Sequence, residues 1–388
     1  MFHRVFRPAC LVALAVLALV PTALPATTFV VTRAADTNDG VCDRRCSLRE
    51  AVLAANRHPG PDFITLPRGV FKLSLAGGDE DLGATGDLDV TDSLGLIGAL
   101  DGGTVVDGGG IDRVLDIHGP VGVFVAYMTV RNGVAAGSNP SGGAIRNSGG
   151  HFDIVAGTIS GNSAPGFGGA IYSDGVRSTL TVLASTISGN IAGGGGGGVA
   201  TAGSVAMANS TFSGNRSLED FGGGLYLFSE AQADFDNVTI TGNMAAQRGG
   251  GLFVEAPVAT GTPVLANSIV AANSASRDAD CSGAVLSGGY NLIGQGEGCP
   301  GFSATRGDQT GTAAAPLDPR LGPLADNGGP TSTHALLAGS PALNAGNPTP
   351  AGGSYPTAGE GTCQREDQRG IRRHRTRCDI GAFELRGR

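Results

Sequence analysis

Acidic side chains are the residues of this sequence best suited to chemistry. Asp79, Glu80, Asp81, Asp87, Asp89 and Asp92 crowd into one short stretch, and an alternating strand would place Asp87 and Asp89 on one face. Paired carboxylates in that arrangement could hold calcium and, with an Arg or Lys as base, would suit a calcium-dependent polysaccharide lyase. Asp36, Asn38 and Asp39 ahead of Gly40 approach the spacing of a calcium loop but fall one residue short of its register. Turn caps and a solvated face explain the same carboxylates without an ion, so no metal site is expected.

Other reaction motifs are missing. There is no G-x-S-x-G and no H-E-x-x-H, which removes the nucleophile elbow and the zinc-protease helix. Lys72 is the only lysine and stands in Val-Phe-Lys-Leu, so no Walker-type phosphate loop exists. The glycine run 193–198 matches G-x-G-x-x-G, but no helical pattern follows and it reads as a turn. The six His residues are scattered, and His334, ahead of an apolar run, reads as structural. No catalytic residue and no cofactor are expected.

Internal repetition dictates what must position these groups. Thr158-Ile159-Ser160-Gly161-Asn162 recurs as Thr186-Ile187-Ser188-Gly189-Asn190, Thr211-Phe212-Ser213-Gly214-Asn215 and Thr239-Ile240-Thr241-Gly242-Asn243, with looser copies at Thr129-Val130 and Ser268-Ile269. A second column runs through Ile145, Ile171, Val199, Leu225 and Leu252, each preceded by Gly-Gly or Gly-Ala. Two more precede the first by five and seven residues: Val125, Ile154, Val182, Met207, Phe235 and Val264, then Val123, Phe152, Leu180, Val205, Ala233 and Thr262. Within each copy, apolar positions alternate with polar or small ones, the period of a strand with one buried face. Three short strands per copy of about 25–29 residues predict an all-β, right-handed parallel β-helix, in which each strand lies about 4.8 Å from its copy in the next rung. Asn162, Asn190, Asn215 and Asn243 are expected to stack as an amide ladder, taking the left-handed backbone of a sharp turn.

If the second column points inward, the residues after it point outward: Arg146, Tyr172, Ala200, Tyr226 and Phe253. That partly aromatic stripe, with Arg146, Tyr172, Tyr226 and Phe253 as its carriers, is the candidate binding face for a glycan or a protein. A chain with no Trp and five Tyr is otherwise poorly supplied for stacking on sugars.

Residues 1–26 read as a secretory signal peptide, with Arg4 and Arg7 before the apolar run from Cys10 to Val20 and small Ala26 as the cleavage point. No later run is long enough to span a bilayer. Without the leader, 24 basic residues face 34 acidic ones, which argues against nucleic-acid binding. Six cysteines in an exported chain read as disulfides, and proximity favours Cys42–Cys46, Cys281–Cys299 and Cys363–Cys378 among 15 possible connectivities. A β-helix needs its open ends covered. Ser47 and Glu50 form a capping box for a short helix over 47–56, whose stripe of Leu48, Val52 and Ala55 could cover the first rung. Arg365, Arg369, Arg372, Arg373, Arg375 and Arg377 read as a solvated loop clamped by Cys363–Cys378.

Cys46-Ser47-Leu48-Arg49-Glu50-Ala51, with Asp36-Thr37-Asn38-Asp39-Gly40 before it and Gly86–Val90 and Asp107–Val114 after it, resembles the CSLREA domain of secreted bacterial repeat proteins. The middle resembles the repeats of polymorphic outer-membrane-protein-like parallel β-helices. Asp326–Thr331, His334–Leu337, Gly339–Ala342, Asp367–Gly370 and Asp379–Glu384 resemble the choice-of-anchor Q region, which commonly shows Asp where Asn344 stands. The expected organisation is a signal peptide at 1–26, an N-terminal cap at 27–75, β-helix rungs at 76–315 and a disulfide-stabilised C-terminal cap at 316–388. The resemblance implies a secreted or cell-surface role, often adhesive, and names no reaction; the expected protein is a non-catalytic monomer acting in adhesion or other extracellular interaction. The alternative is a polysaccharide lyase or glycoside hydrolase of the pectin-lyase-like class.

Overall fold

Strands of two to five residues cannot stand alone, so each must bury its apolar face and pair its backbone with the next copy. The computed structural model describes residues 26–78, 80–256, 261–349, 362–374 and 376–385; the expected signal peptide apart from Ala26, together with Asp79 and Arg375, lies outside this set. It is a right-handed parallel β-helix. A ten-stranded sheet runs from Thr28–Val30 to Leu286–Gly289, an eight-stranded sheet from Leu88–Val90 to Cys281–Ser282, and a second ten-stranded sheet from Gly69–Lys72 to Gln309–Thr310. These are called the first, second and third sheets. A representative rung passes through Ile145–Ser148 (second sheet), His151–Val155 (first), Thr158–Ser160 (third) and the short strand Ser163–Ala164.

The aliphatic columns are interior stacks. Val130, Ile159, Ile187, Phe212 and Ile240 pair in succession in the third sheet, all at most 1% exposed. At the next rung the register differs from the sequence columns. Ile240 pairs with Val270 rather than Ile269, and Phe235 with Leu265 rather than Val264; Thr262 precedes the strand. This rung is one residue longer, and a one-residue slip inverts the faces of a strand. The neighbours Ile269 and Val270 are both apolar, so the pattern could not separate them. Ile269 faces outward yet is buried, packed beside Leu336, Ala342, Ile380 and Phe383 of the C-terminal segment.

The Asn positions differ from expectation in one respect. The left-handed residues are the glycines before them, Gly161, Gly189, Gly214 and Gly242 (φ 64–67°), while the Asn backbones stay at negative φ. Their amides turn inward: Asn162 Nδ2 donates to Asn190 Oδ1, Asn190 to Asn215 and Asn215 to Asn243, each at 2.9 Å. The ladder continues beyond the repeats seen in sequence, with Asn243 donating to Asn273 and Asn273 to Asp280, again at 2.9 Å.

Helix α1, Leu48–Arg57, covers the N-terminal end. The Ser47 hydroxyl accepts from Glu50 N and Glu50 Oε2 accepts from Ser47 N, at 2.8 Å for the latter. Arg49, 0% exposed, forms a bidentate pair with Asp36 and donates to the carbonyls of Gly83, Gly86 and Asp87 at 2.8–2.9 Å. Asp36 also accepts from the Ser74 and Leu75 amides, and Asp39 caps its own turn through Val41 N. The carboxylates that approached calcium-loop spacing are thus committed to Arg49 and to backbone.

Cys42–Cys46, Cys281–Cys299 and Cys363–Cys378 are disulfide-bonded. The C-terminal segment also runs back along the outside of the third sheet. Thr331 Oγ1 donates to Ala184 O, Thr211 Oγ1 to Gln368 Oε1 and Gln368 Nε2 to Thr186 Oγ1. His334 bridges Gly322 O and Ser213 Oγ, at 2.7 and 2.9 Å, a structural role. The arginine-rich stretch is not uniformly solvated. Arg365, Arg372 and Arg377 are exposed, but Arg369 pairs with Asp367 at 2.6 Å and Arg373 with Glu384 at 3.3 Å, both arginines buried, because each neutralises a carboxylate shut in against the rungs.

Candidate functional site

Leu88, Leu115, Ile145, Ile171, Val199, Leu225 and Leu252 fill the interior side of the second sheet, at most 2% exposed. The residue after each therefore stands on the outer face. Strand pairing sets these in one column: Asp89, Asp116, Arg146, Tyr172, Ala200, Tyr226 and Phe253. The column changes character along the solenoid, from carboxylates through one arginine to aromatics.

The aromatic half gathers Phe167, Tyr172, Phe221, Tyr226, Phe228 and Phe253. Phe221 and Phe253 stack at 4.5 Å, and Tyr226 lies 4.6 Å from Phe228 and 5.1 Å from Phe253. Phe167 touches Tyr172, Tyr226 and Phe228. The expected stripe is corrected at one position: Tyr226 is only 4% exposed, because rings from the turns fold over it, and its hydroxyl donates to Glu255 Oε1 at 2.5 Å. Burial, then Glu255, pushes the Tyr226 phenol up. The accessible rings are the partly exposed Tyr172, Phe253, Phe167, Phe221 and Phe228.

The polar half is a network. Arg113 Nη1 donates to Asp116 Oδ2 at 2.7 Å and to Asp87 Oδ2 at 3.2 Å, and Arg146 Nη1 reaches the same Asp116 oxygen at 3.3 Å. Arg146, 18% exposed at its side chain and paired with Asp116, is the more accessible of the two arginines, Arg113 being 7% exposed. Burial, then the negative charges of Asp89 and Asp112, pushes Asp87 up to about 8 against the pull of Arg113. Asp87 and Asp89 do not act together: Asp87 faces Arg113, whereas Asp89 Oδ1 lies 2.6 Å from His118 Nε2 and Asp89 Oδ2 accepts from Gly83 N. The hydrogen bond that the His118 imidazole donates to Asp89 raises the His118 pKa. Donor atoms of Asp81, Asp89 and His118 lie within 4.8 Å of one another, the arrangement among the described residues that could hold a metal ion.

Arg113, Asp116 and His118 were not among the sequence candidates. The strand Leu115–His118, which carries Asp116 and His118 and follows Arg113, lacks the preceding Gly-Gly or Gly-Ala that marked the second column. The usable signal was the alternation Leu115-Asp116-Ile117-His118 at one repeat length before Ile145. Conversely, Glu80 holds its own loop through Thr85 N, and Asp92 caps Gly60 N and Ser93 N.

Fold and register together define a right-handed parallel β-helix repeat protein. Residues 157–174, less than one rung in length and running from the third-sheet strand of one rung to the second-sheet strand of the next, match the Chlamydia polymorphic membrane protein repeat. No curated protein matches the chain. Among solved structures, the chain is similar to the crystal structure of pectate lyase Pel9A, with 12% sequence identity over 94% of this chain and 98% of that one and a TM-score of 0.41. Among the described residues no helix is long and apolar enough to cross a membrane.

Proposed function

We propose that this is an exported binding protein whose second-sheet outer face holds an anionic glycan along the solenoid axis. One observation carries the reading: a chain with only 15 Phe, 5 Tyr and no Trp concentrates six aromatic side chains on one face, beside the accessible Arg146. Aromatic faces stack on pyranose rings, and a guanidinium recognises carboxylate or sulfate groups. The strand spacing of about 4.8 Å sets these groups out as a linear track rather than a closed pocket.

The finer family reading rests on the motif residues themselves. Every residue of Cys46–Ala51 has a physical role, in order a disulfide, a helix cap, a core contact, a buried ion pair, the second half of the capping box and a fully buried small side chain. This supports a CSLREA domain at the start. The rest of the proposed organisation is a leader at 1–26, an N-terminal cap at 27–75, rungs at 76–315 and a choice-of-anchor Q-like region at 316–388. Three disulfides suit an oxidising compartment, which supports a secreted or cell-surface location; the proposed role there is adhesion. The partner is an extracellular glycan and the protein is a monomer.

The test is binding of the purified mature protein to a panel of immobilised acidic and neutral polysaccharides. At least one acidic polymer is expected to bind, and Tyr172→Ala with Phe253→Ala should weaken it roughly tenfold, the loss of two ring contacts. Equal binding by the folded double variant, or binding to none of the panel, would sink the reading. The gathering of Asp87, Asp89 and Asp116 around Arg113 and His118 on one face favours a second reading, a polysaccharide lyase or hydrolase, because acid–base sites are built from such groups within hydrogen-bond reach of one another. Release of unsaturated or reducing ends from the same panel, abolished in Asp87→Asn, would establish it over the first.

A further inference from the structure

We propose that Asp81, Asp89, Asp116 and His118 form a site for one divalent transition-metal ion, of the zinc or manganese class, at the N-terminal end of the second sheet. Two independent observations meet there. First, one imidazole nitrogen and two carboxylate oxygens, from His118, Asp89 and Asp81, lie within 4.8 Å of one another. Second, Asp116 Oδ1 is buried without a hydrogen-bond partner, on a side chain only 3% exposed, and points at the same imidazole from 3.9 Å. A buried carboxylate oxygen left unpaired is costly, and a cation between it and His118 removes that cost.

The fold builds the site from two adjacent rungs and one loop. Asp89 and Asp116 are register partners, and His118 lies two residues beyond Asp116 on the same face. The loop carrying Asp81 is pinned by Arg49 through the Gly83 and Gly86 carbonyls, while Gly83 N fixes the second oxygen of Asp89. Arg113 and Arg146 occupy the other oxygen of Asp116, leaving Oδ1 for the ion. Such outer partners orient ligands. An imidazole with carboxylates and no thiolate selects zinc or manganese over calcium, whose ligands are all oxygen. Asp81 is exposed and His118 half-buried, so the ion would be reachable from solvent and exchangeable.

The proposal does not depend on glycan binding. The test is isothermal titration of chelator-treated mature protein with zinc, manganese and calcium chlorides, with His118→Ala and Asp81→Asn as variants. Asp81→Asn alters an exposed side chain and keeps the test valid if the His118 variant fails to fold. The expected result is one equivalent of zinc or manganese per chain, with affinity at least tenfold weaker in each folded variant. No binding of either ion, unchanged affinity in Asp81→Asn, or tighter binding of calcium would overturn the assignment.

Discussion

Removing one amide from the middle of the ladder should cost more than removing the amide at its start. Asn215 Oδ1 accepts from both the backbone N and Nδ2 of Asn190, at 3.1 and 2.9 Å, and its own Nδ2 donates to Ile187 O and Asn243 Oδ1. Asn215 and Asn190 are 0% exposed, so Asn215→Ala leaves two Asn190 donors without this acceptor and without water. At about 1–3 kcal/mol for each orphaned buried donor, the loss is about 2–6 kcal/mol. Asn162 Oδ1 accepts only from Gly133 N, at 2.9 Å, so Asn162→Ala orphans one donor and should cost about 1–3 kcal/mol. Guanidinium unfolding followed by circular dichroism measures both, provided that the slope is unchanged so that the midpoints report stability. If Asn215→Ala falls within about 0.5 kcal/mol of the parent, or Asn162→Ala costs more, the ladder is not what holds this corner.

The contribution of Asp236 and Asp379 to stability should fall as pH rises from about 4 to 6. Burial pushes Asp236 and Asp379 up to about 6 from an ordinary value of 3.8, so the folded state holds protons that the unfolded state has released. That contribution is fully present below the unfolded value and is lost as pH passes the folded one, at no more than about 1.4 kcal/mol per pH unit for each group. Melting temperatures of the parent and of the double variant Asp236→Asn with Asp379→Asn across this range separate that slope from the opposite one of Asp36, Glu50 and Asp107, whose pKa values are lowered; the same pH dependence in parent and variant would refute it. Arg49→Met should destabilise the N-terminal end by about 3–5 kcal/mol, because Asp36, with its side chain 1% exposed, would lose its buried partner. Limited proteolysis should then cut first near α1, and unchanged resistance there would contradict the pairing.

Repetition made the solenoid legible because a repeated apolar position has one economical explanation: burial against its own copy. The limits were physical as well. At Ile269 and Val270 both neighbours are apolar, and only the C-terminal segment, folding back over Ile269 from more than sixty residues further on, decides which one faces inward. Arg369 and Arg373 read as solvated because sequence does not show Asp367 and Glu384 closing on them. Tyr226 read as an exposed ring because Phe221 and Phe228 lie in turns, outside any column. The polar half of the face was hidden for a related reason: Asp116 and His118 belong to a rung without the glycine signature, and their meeting with Asp89 depends on inter-rung register.

The most direct test of the account is a hydrogen–deuterium exchange footprint of the mature protein with and without the tightest-binding acidic oligosaccharide. Protection is expected in peptides covering Arg146, Tyr172 and Phe253 and in the turns bearing Phe167 and Phe221, with the first and third sheets unchanged. Protection confined to either of those sheets or to the C-terminal segment would contradict it.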